Sequence, residues 1–183
     1  MSEKTLRVGI VTVSDRASSG EYEDKGGPAI RSWLKNALVT PWEGWDKVVP
    51  DEQDQIEAIL REFTDDQKCH LILTTGGTGP SKRDVTPEAT IAVSERILDG
   101  FGERMRSISL KYAPTAILSR QVGVLRGDCL IVNLPGQPKA ISEILDELFE
   151  AIPYCIELND GPYIDTDESI VKAFRPKSYV RKT

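Results

Sequence analysis

The sequence predicts an α/β protein, a three-layer α/β/α arrangement with a mostly parallel sheet, folded as a single domain over residues 1–183. Three observations predict it. Apolar, β-branched runs alternate along the chain with segments whose apolar residues recur at helical spacing, and that alternation builds parallel sheets covered by helices. A chain of 183 residues is long enough for one well-buried core and short for two. No internal repeat and no low-complexity linker divides it.

The first strand spans 6–13 and ends in the polar run Ser14-Asp15-Arg16-Ala17-Ser18-Ser19-Gly20. Pro28 opens a helix through Trp33 and Leu38, since proline suits a first helical turn. A strand over 46–49 stops at Pro50, and a helix from about Asp51 carries Ile56, Ile59, Leu60 and Phe63 on one face. Residues 69–75 read as a fully buried strand. After a glycine turn, Thr86 suits an N-cap and Pro87 a first helical position, with that helix running to about Leu98. A helix is expected over 101–112, then a hairpin over 123–134 turning at Arg126-Gly127-Asp128. A last helix carries Ile141, Ile144, Leu145, Leu148 and Ile152 on one side. The stretch from about 159 to 183 is a turn-rich tail with a basic end, expected to wrap the domain or fray.

Composition narrows the function. Apolar content of 39% with 28% charged residues fits a folded, soluble chain. No apolar run approaches the ~20 residues that span a bilayer, so no membrane role is expected. Met1-Ser2-Glu3-Lys4-Thr5 leads straight into a strand, which predicts no secretory signal and a cytoplasmic location. Cys69, Cys129 and Cys155 lack metal-binding spacing and read as buried, reduced thiols. His70 is the single histidine. Its neighbour Cys69 points to the opposite strand face, so the pair makes a poor metal site, and a Ser-His-Asp triad is disfavoured. A net charge of −6 argues against nonspecific nucleic-acid binding but leaves room for a small anionic substrate near Arg16, Lys25, Lys82, Arg83, Lys139, Arg120 and Arg126. Trp33 sits at helical spacing from Ile30 and reads as core; no role falls to the tryptophans.

The chemistry gathers at Leu73-Thr74-Thr75-Gly76-Gly77-Thr78-Gly79-Pro80, followed by Arg83-Asp84. Three glycines in four positions let consecutive N–H groups face a phosphate, and a following carboxylate can hold a cation against it. Ser81 stands where a P-loop needs its second glycine, and Lys82 where a dinucleotide fingerprint needs its third. Both standard nucleotide motifs therefore fail. In a parallel sheet, ligands sit beyond the carboxyl ends of the strands. Four loops belong there: Ser14-Asp15-Arg16, Pro50-Asp51-Glu52, the glycine loop with Asp84, and Leu134-Pro135-Gly136.

Residues 75–79 with Arg83-Asp84-Val85-Thr86-Pro87-Glu88-Ala89 resemble the signature of the molybdenum-cofactor biosynthesis family. The same is true of Thr12-Val13-Ser14-Asp15-Arg16, Pro50-Asp51-Glu52, Leu118-Ser119-Arg120 and Asn133-Leu134-Pro135-Gly136. That family includes the Mog-type and MoaB-type proteins and the related plant Cnx and gephyrin domains. The resemblance covers roughly 6–158 and is nearest to the Mog type. It implies adenylylation of molybdopterin by ATP with magnesium, a homotrimer, and passage of the product to a molybdenum insertase. It implies that Asp51 and Asp84 are catalytic and hold Mg2+; helix capping is the competing role for each. Thr75, Gly76, Gly77, Thr78 and Gly79 would cradle phosphate or pterin, and Ser14, Asp15 and Arg16 would border the cavity. Ser109, Ser119 and Arg120 would anchor the pterin phosphate, with Pro135 and Gly136 allowing close approach to the backbone. The rival reading is a non-catalytic molybdopterin carrier or scaffold.

Overall fold

The computed structural model describes residues 5–181; the Met1–Lys4 opening, from which the absence of a secretory signal was inferred, lies outside them, as does the end of the tail. Six strands form one sheet: β1 (Leu6–Val13), β2 (Trp42–Val49), β3 (Leu71–Thr75), β4 (Arg96–Ile97), β5 (Gly123–Arg126) and β6 (Cys129–Leu134). Their order is β2-β1-β3-β6-β5-β4. The first four are mutually parallel; β5 runs antiparallel to β6, and β4 antiparallel to β5.

Strand alternation sorts side chains into two cores. Leu6, Val8, Ile10, Leu71, Leu73, Leu130, Val132 and Leu134 face one side. There they meet α2 (Gly26–Ala37), α5 (Asp99–Ser109), α6 (Pro138–Leu148) and α7 (Ile152–Leu158). Val11, Val13, Ile72 and Ile131 face the other side, under α3 (Gln53–Arg61) and α4 (Thr86–Val93). Gly9 falls where β1 passes beneath Phe63, and a Cβ there would lie 2.4 Å from the ring. A short α1 (Asp15–Ser18) follows β1.

Several boundaries differ from the sequence expectation. β2 begins at Trp42, four residues early, because its first half is held by parallel pairing with β1 from Leu6↔Trp42 onward. α2 begins at Gly26, ahead of Pro28, because Asp24 Oδ1 accepts from the N–H groups of Gly26 (2.9 Å) and Gly27 (3.2 Å). α4 stops at Val93. Its expected last turn becomes β4, where Arg96 and Ile97 pair with Leu125 and Val124 and extend the sheet edge. Val85, not Thr86, is the residue before that helix. Beyond Arg61 the third helix widens into a π-helical turn over Glu62–Asp66, which buries Phe63. The final helical stretch breaks after Leu148 and resumes as α7.

Much of the tail lies on the body. Ile164 and Val171 join the larger core, Thr166 bridges to Leu38, and the guanidinium of Arg175 pairs with the buried carboxylate of Glu157. Cys69 and Cys129 are buried, and burial pushes the Cys69 thiol up to about 12. His70 Nδ1 accepts from the Arg7 N–H at 3.1 Å. Trp33 is core, with its Nε1 donating to Asp146 at 2.7 Å. Among the described residues no helix is long and apolar enough to cross a membrane.

Candidate active site

The chain leaving β1 crosses to β2 on one side, and the chain leaving β3 runs to the other side, toward β4, β5 and β6, so a crevice opens at the carboxyl edge between β1 and β3. The loops after β1, β2, β3 and β6 meet there around a cavity of about 420 Å³. Ser14, Asp15, Arg16, Asp51, Thr75, Gly76, Gly77, Asp84 and Gly136 all line it.

The glycine turn is shaped by what surrounds it. Gly76 (φ +95°) and Gly77 (φ +63°) adopt left-handed backbone, which costs other residues about 1 kcal/mol or more. A Cβ on Gly76 would lie 2.3 Å from the Val13 carbonyl oxygen, and one on Gly77 2.3 Å from Thr86 Oγ and 3.0 Å from Asp51 Oδ1. Thr86 cements the turn: its hydroxyl donates to Gly76 O (3.0 Å) and its N–H to Gly77 O (3.1 Å). The Thr75 hydroxyl donates to the Pro135 carbonyl at 2.8 Å, tying the β3 loop to the β6 loop.

Neither aspartate caps a helix. Glu52 precedes α3, while Asp51 and Asp15 make a reciprocal pair: Asp15 N–H donates to Asp51 Oδ2 (2.9 Å) and Asp51 N–H to Asp15 Oδ1 (3.0 Å). Asp84 Oδ2 accepts from Ser81 N–H at 3.0 Å and sits 2.9 Å from where a Gly79 Cβ would be. Burial raises the Asp51 carboxyl above its ordinary value, and the charges of Asp15 and Asp84 push the same way. Asp15, by contrast, is held low by the guanidinium of Arg83. Two hard carboxylates on neighbouring loops, Asp51 raised by burial and by the charge of its acidic neighbours, are a chemically fitting receptor for a divalent cation. Among the described residues no three metal-binding side chains converge. Magnesium needs fewer, since it commonly takes one or two carboxylates with substrate phosphates completing its shell.

Not every expected residue reaches this cavity. Ser14 does, but its Oγ accepts from Ala17 N–H and caps α1. Thr78 and Gly79 continue the turn past the lining. Pro135 contributes its carbonyl to Thr75 rather than a surface to the cavity. Ser109 ends α5, and Ser119 Oγ donates to Gln121 at 2.6 Å; neither lines the cavity. Arg120 is a strut behind the glycine loop. Its Nε donates to Gly79 O at 2.8 Å, and its terminal nitrogens bond Glu88 and the Asp84 carbonyl. It borders a separate recess of about 250 Å³ with Arg106 and Gln121.

Tyr22 and Asp24, which no motif marks, also line the cavity. Thr12 donates to Asp24 Oδ2 at 2.9 Å, and Asp24 also nucleates α2. Arg16 and Lys25 flank the Tyr22 ring at 5.4 and 5.7 Å from its centroid. The Asp24-Lys25-Gly26-Gly27 run, an acceptor before two unencumbered N–H groups, was the available signal. The lining thus carries three carboxylates besides that of Asp24, two cations and a glycine turn, a set suited to bringing polyanions together.

A family model described as "Probable molybdopterin binding domain" matches residues 9–154. A protein of Escherichia coli (strain K12) named molybdopterin adenylyltransferase is 56% identical over 186 residues, covering 95% of each chain. Gephyrin of Dictyostelium discoideum is 39% identical over 99% of this chain, which spans 26% of that longer protein. The crystal structure of a molybdopterin biosynthesis enzyme, MoaB from Thermus thermophilus, matches with a TM-score of 0.79 and 41% identity, covering 87% of this chain and 99% of that one.

Proposed function

The chain belongs to the family of molybdopterin-binding domains, and from that premise we propose that it adenylylates molybdopterin with ATP, releasing pyrophosphate, in molybdenum-cofactor biosynthesis. The single observation that carries this reading is the placement of Asp51 and Asp84 on neighbouring loops of one cavity, beside a glycine turn with room for phosphate.

The reaction needs little from protein side chains as reagents. An oxygen of the pterin's phosphate attacks the α-phosphorus of ATP, a new P–O bond forms, and the bond to the bridging β-oxygen breaks. The attacking group is already anionic, so neither a nucleophilic residue nor a general base is required. That suits a site whose chain offers one histidine, held by the Arg7 N–H at the start of β3, and thiols raised by burial. Positioning and charge neutralisation dominate such transfers. Asp51 and Asp84 would hold a magnesium ion, which would supply positive charge to offset the two polyanions in the cavity. Arg16 and Lys25 add fixed positive charge to the lining. Left-handed Gly76 and Gly77 keep the backbone bare, so a phosphate approaches without meeting a Cβ.

The reading extends to the setting. The protein works in the cytoplasm as a homotrimer and passes its product to a molybdenum insertase. Family resemblance supports these points, and the exposed Leu110, Tyr112, Ile117 and Leu118 offer an apolar surface for contact between copies. The described residues act as one unit, with Ile164, Val171 and Arg175 of the tail seated on its body.

The test compares wild type with Asp51→Asn and Asp84→Asn in pyrophosphate release from molybdopterin, ATP and magnesium. Both variants are expected to fold and bind pterin, with release falling on the order of 100-fold or more. A fully active Asp84→Asn protein overturns the assignment of that carboxylate.

A further inference from the structure

Asp51 and Asp84 belong to different loops, and no hydrogen bond between their side chains fixes their separation. Arg83 does what they do not. It precedes Asp84 in the chain, and its guanidinium reaches across to the loops after β1 and β2. Nε lies 3.1 Å from Asp15 Oδ2, and Nη2 lies 2.9 and 3.0 Å from the two Asp15 oxygens and 2.9 Å from Glu52 Oε1. Asp15 in turn is locked to Asp51 by the reciprocal backbone-to-carboxylate pair at 2.9 and 3.0 Å. A short rigid chain of contacts thus runs from the backbone of one candidate magnesium ligand to the carboxylate of the other.

From this we infer that Arg83 is a positioning residue for adenylyl transfer: acting through Asp15, its fork sets where the Asp51 carboxylate stands relative to Asp84. The inference rests on the adenylyl-transfer reading above. Two physical points support it. Without the guanidinium, Asp15 and Glu52 become adjacent uncompensated anions beside Asp51, and like charges spread the loops that carry them. And a planar fork that grips two carboxylates at once has a geometry that a lysine ammonium cannot copy. Stability is not the reason for the contact. The side chains of Arg83, Asp15 and Glu52 are 54%, 46% and 47% exposed, and ion pairs so exposed add little to folding.

The consequence is a residue nearly silent in folding and prominent in catalysis. The test uses the full chain as wild type, Arg83→Ala and Arg83→Lys, with Arg31→Ala as control. Arg31 pairs with Asp46 at similar exposure, outside the cavity lining. Three quantities are read: Tm, the affinity for Mn2+ alone by electron paramagnetic resonance, and the Mg2+ and molybdopterin dependence of pyrophosphate release. Expected for Arg83→Ala and Arg83→Lys alike is a Tm within about 4 °C of wild type. Mn2+ affinity is expected to fall roughly tenfold, the Mg2+ needed for half-maximal rate to rise in parallel, and the molybdopterin KM to stay put, since losing an outer partner that orients a metal ligand typically costs about 10–100-fold in affinity. The control is expected to match wild type throughout. Unchanged Mn2+ affinity and Mg2+ requirement overturn the inference, and so does full rescue by lysine. A change confined to the molybdopterin KM also overturns it, because Arg83 would then touch substrate. If the wild type itself neither binds Mn2+ nor releases pyrophosphate, the adenylyl-transfer reading fails first and takes this inference with it.

Discussion

Replacing Gly79 with alanine sets one methyl group against the Asp84 carboxylate and disturbs little else. The new Cβ would stand 2.9 Å from Asp84 Oδ2, and no other side chain or backbone atom comes closer than 3.8 Å. Ordinary contact begins at 3.4 Å, so the carboxylate must shift by about 0.5 Å. Gly79 does not need a left-handed backbone, so alanine is tolerated and restricts the unfolded chain, a gain of about 0.4–1 kcal/mol. The shift strains the Ser81 N–H···Asp84 hydrogen bond, a loss of about 0.5–1.5 kcal/mol. These nearly cancel, and Tm is expected to move by no more than about 4 °C. Catalysis feels the same displacement differently. An error of about 1 Å can cost roughly 100-fold in such transfers, so about 0.5 Å implies a rate about tenfold lower. Differential scanning fluorimetry and steady-state pyrophosphate release read the two quantities. Wild-type rate in a fully folded Gly79→Ala protein would refute the argument that the placement of Asp84 limits the reaction.

Gly76 gives the opposite outcome: its φ of +95° and a Cβ 2.3 Å from the Val13 carbonyl make Gly76→Ala lose about 3 kcal/mol or more, read as a large drop in Tm or in soluble yield. Asp51 carries a pH signature. A carboxyl raised in the folded state binds its proton more tightly there, so its ionised form weakens the fold once pH rises past the ordinary value of 3.8. Asp51→Asn without metal should therefore melt above wild type at about pH 7, with the advantage shrinking as pH falls toward about 4; a less stable variant at neutral pH contradicts this. In the tail, Arg175→Ala strands Glu157, whose side chain is 5% exposed, and should cost about 3–5 kcal/mol, or roughly 10 °C in Tm, while leaving adenylyl transfer intact below the melt.

What could be read from the residues follows their periodicity. The 6–13 strand, the strand expected over 69–75 and observed over 71–75, and the hairpin over 123–134 carry apolar runs that mark them in the residues alone. Residues 42–45, Trp-Glu-Gly-Trp, lack a continuous apolar run and lie on an edge strand, so pairing with β1 is what makes them extended. Residues 94–98 continue a helical pattern, yet hydrogen bonds to β5 prevail over propensity. In the site, Asp51, Asp84 and the glycines were legible because their chemistry and their position after strands coincide. Tyr22 and Asp24 were not, since they occupy an aperiodic stretch whose approach to Thr12 and Arg16 exists only in three dimensions. Ser109 and Ser119 show the reverse case: named through a motif, they lie away from the main cavity.

Whether one chain joins two anions is seen by looking at the pterin afterwards. Purified protein is incubated with molybdopterin, ATP and magnesium, and the pterin is analysed by mass spectrometry. The account predicts a pterin heavier by one adenylyl group, formed in step with pyrophosphate. Molybdopterin recovered bound but unmodified, with ATP untouched, would contradict it and mark the protein as a carrier.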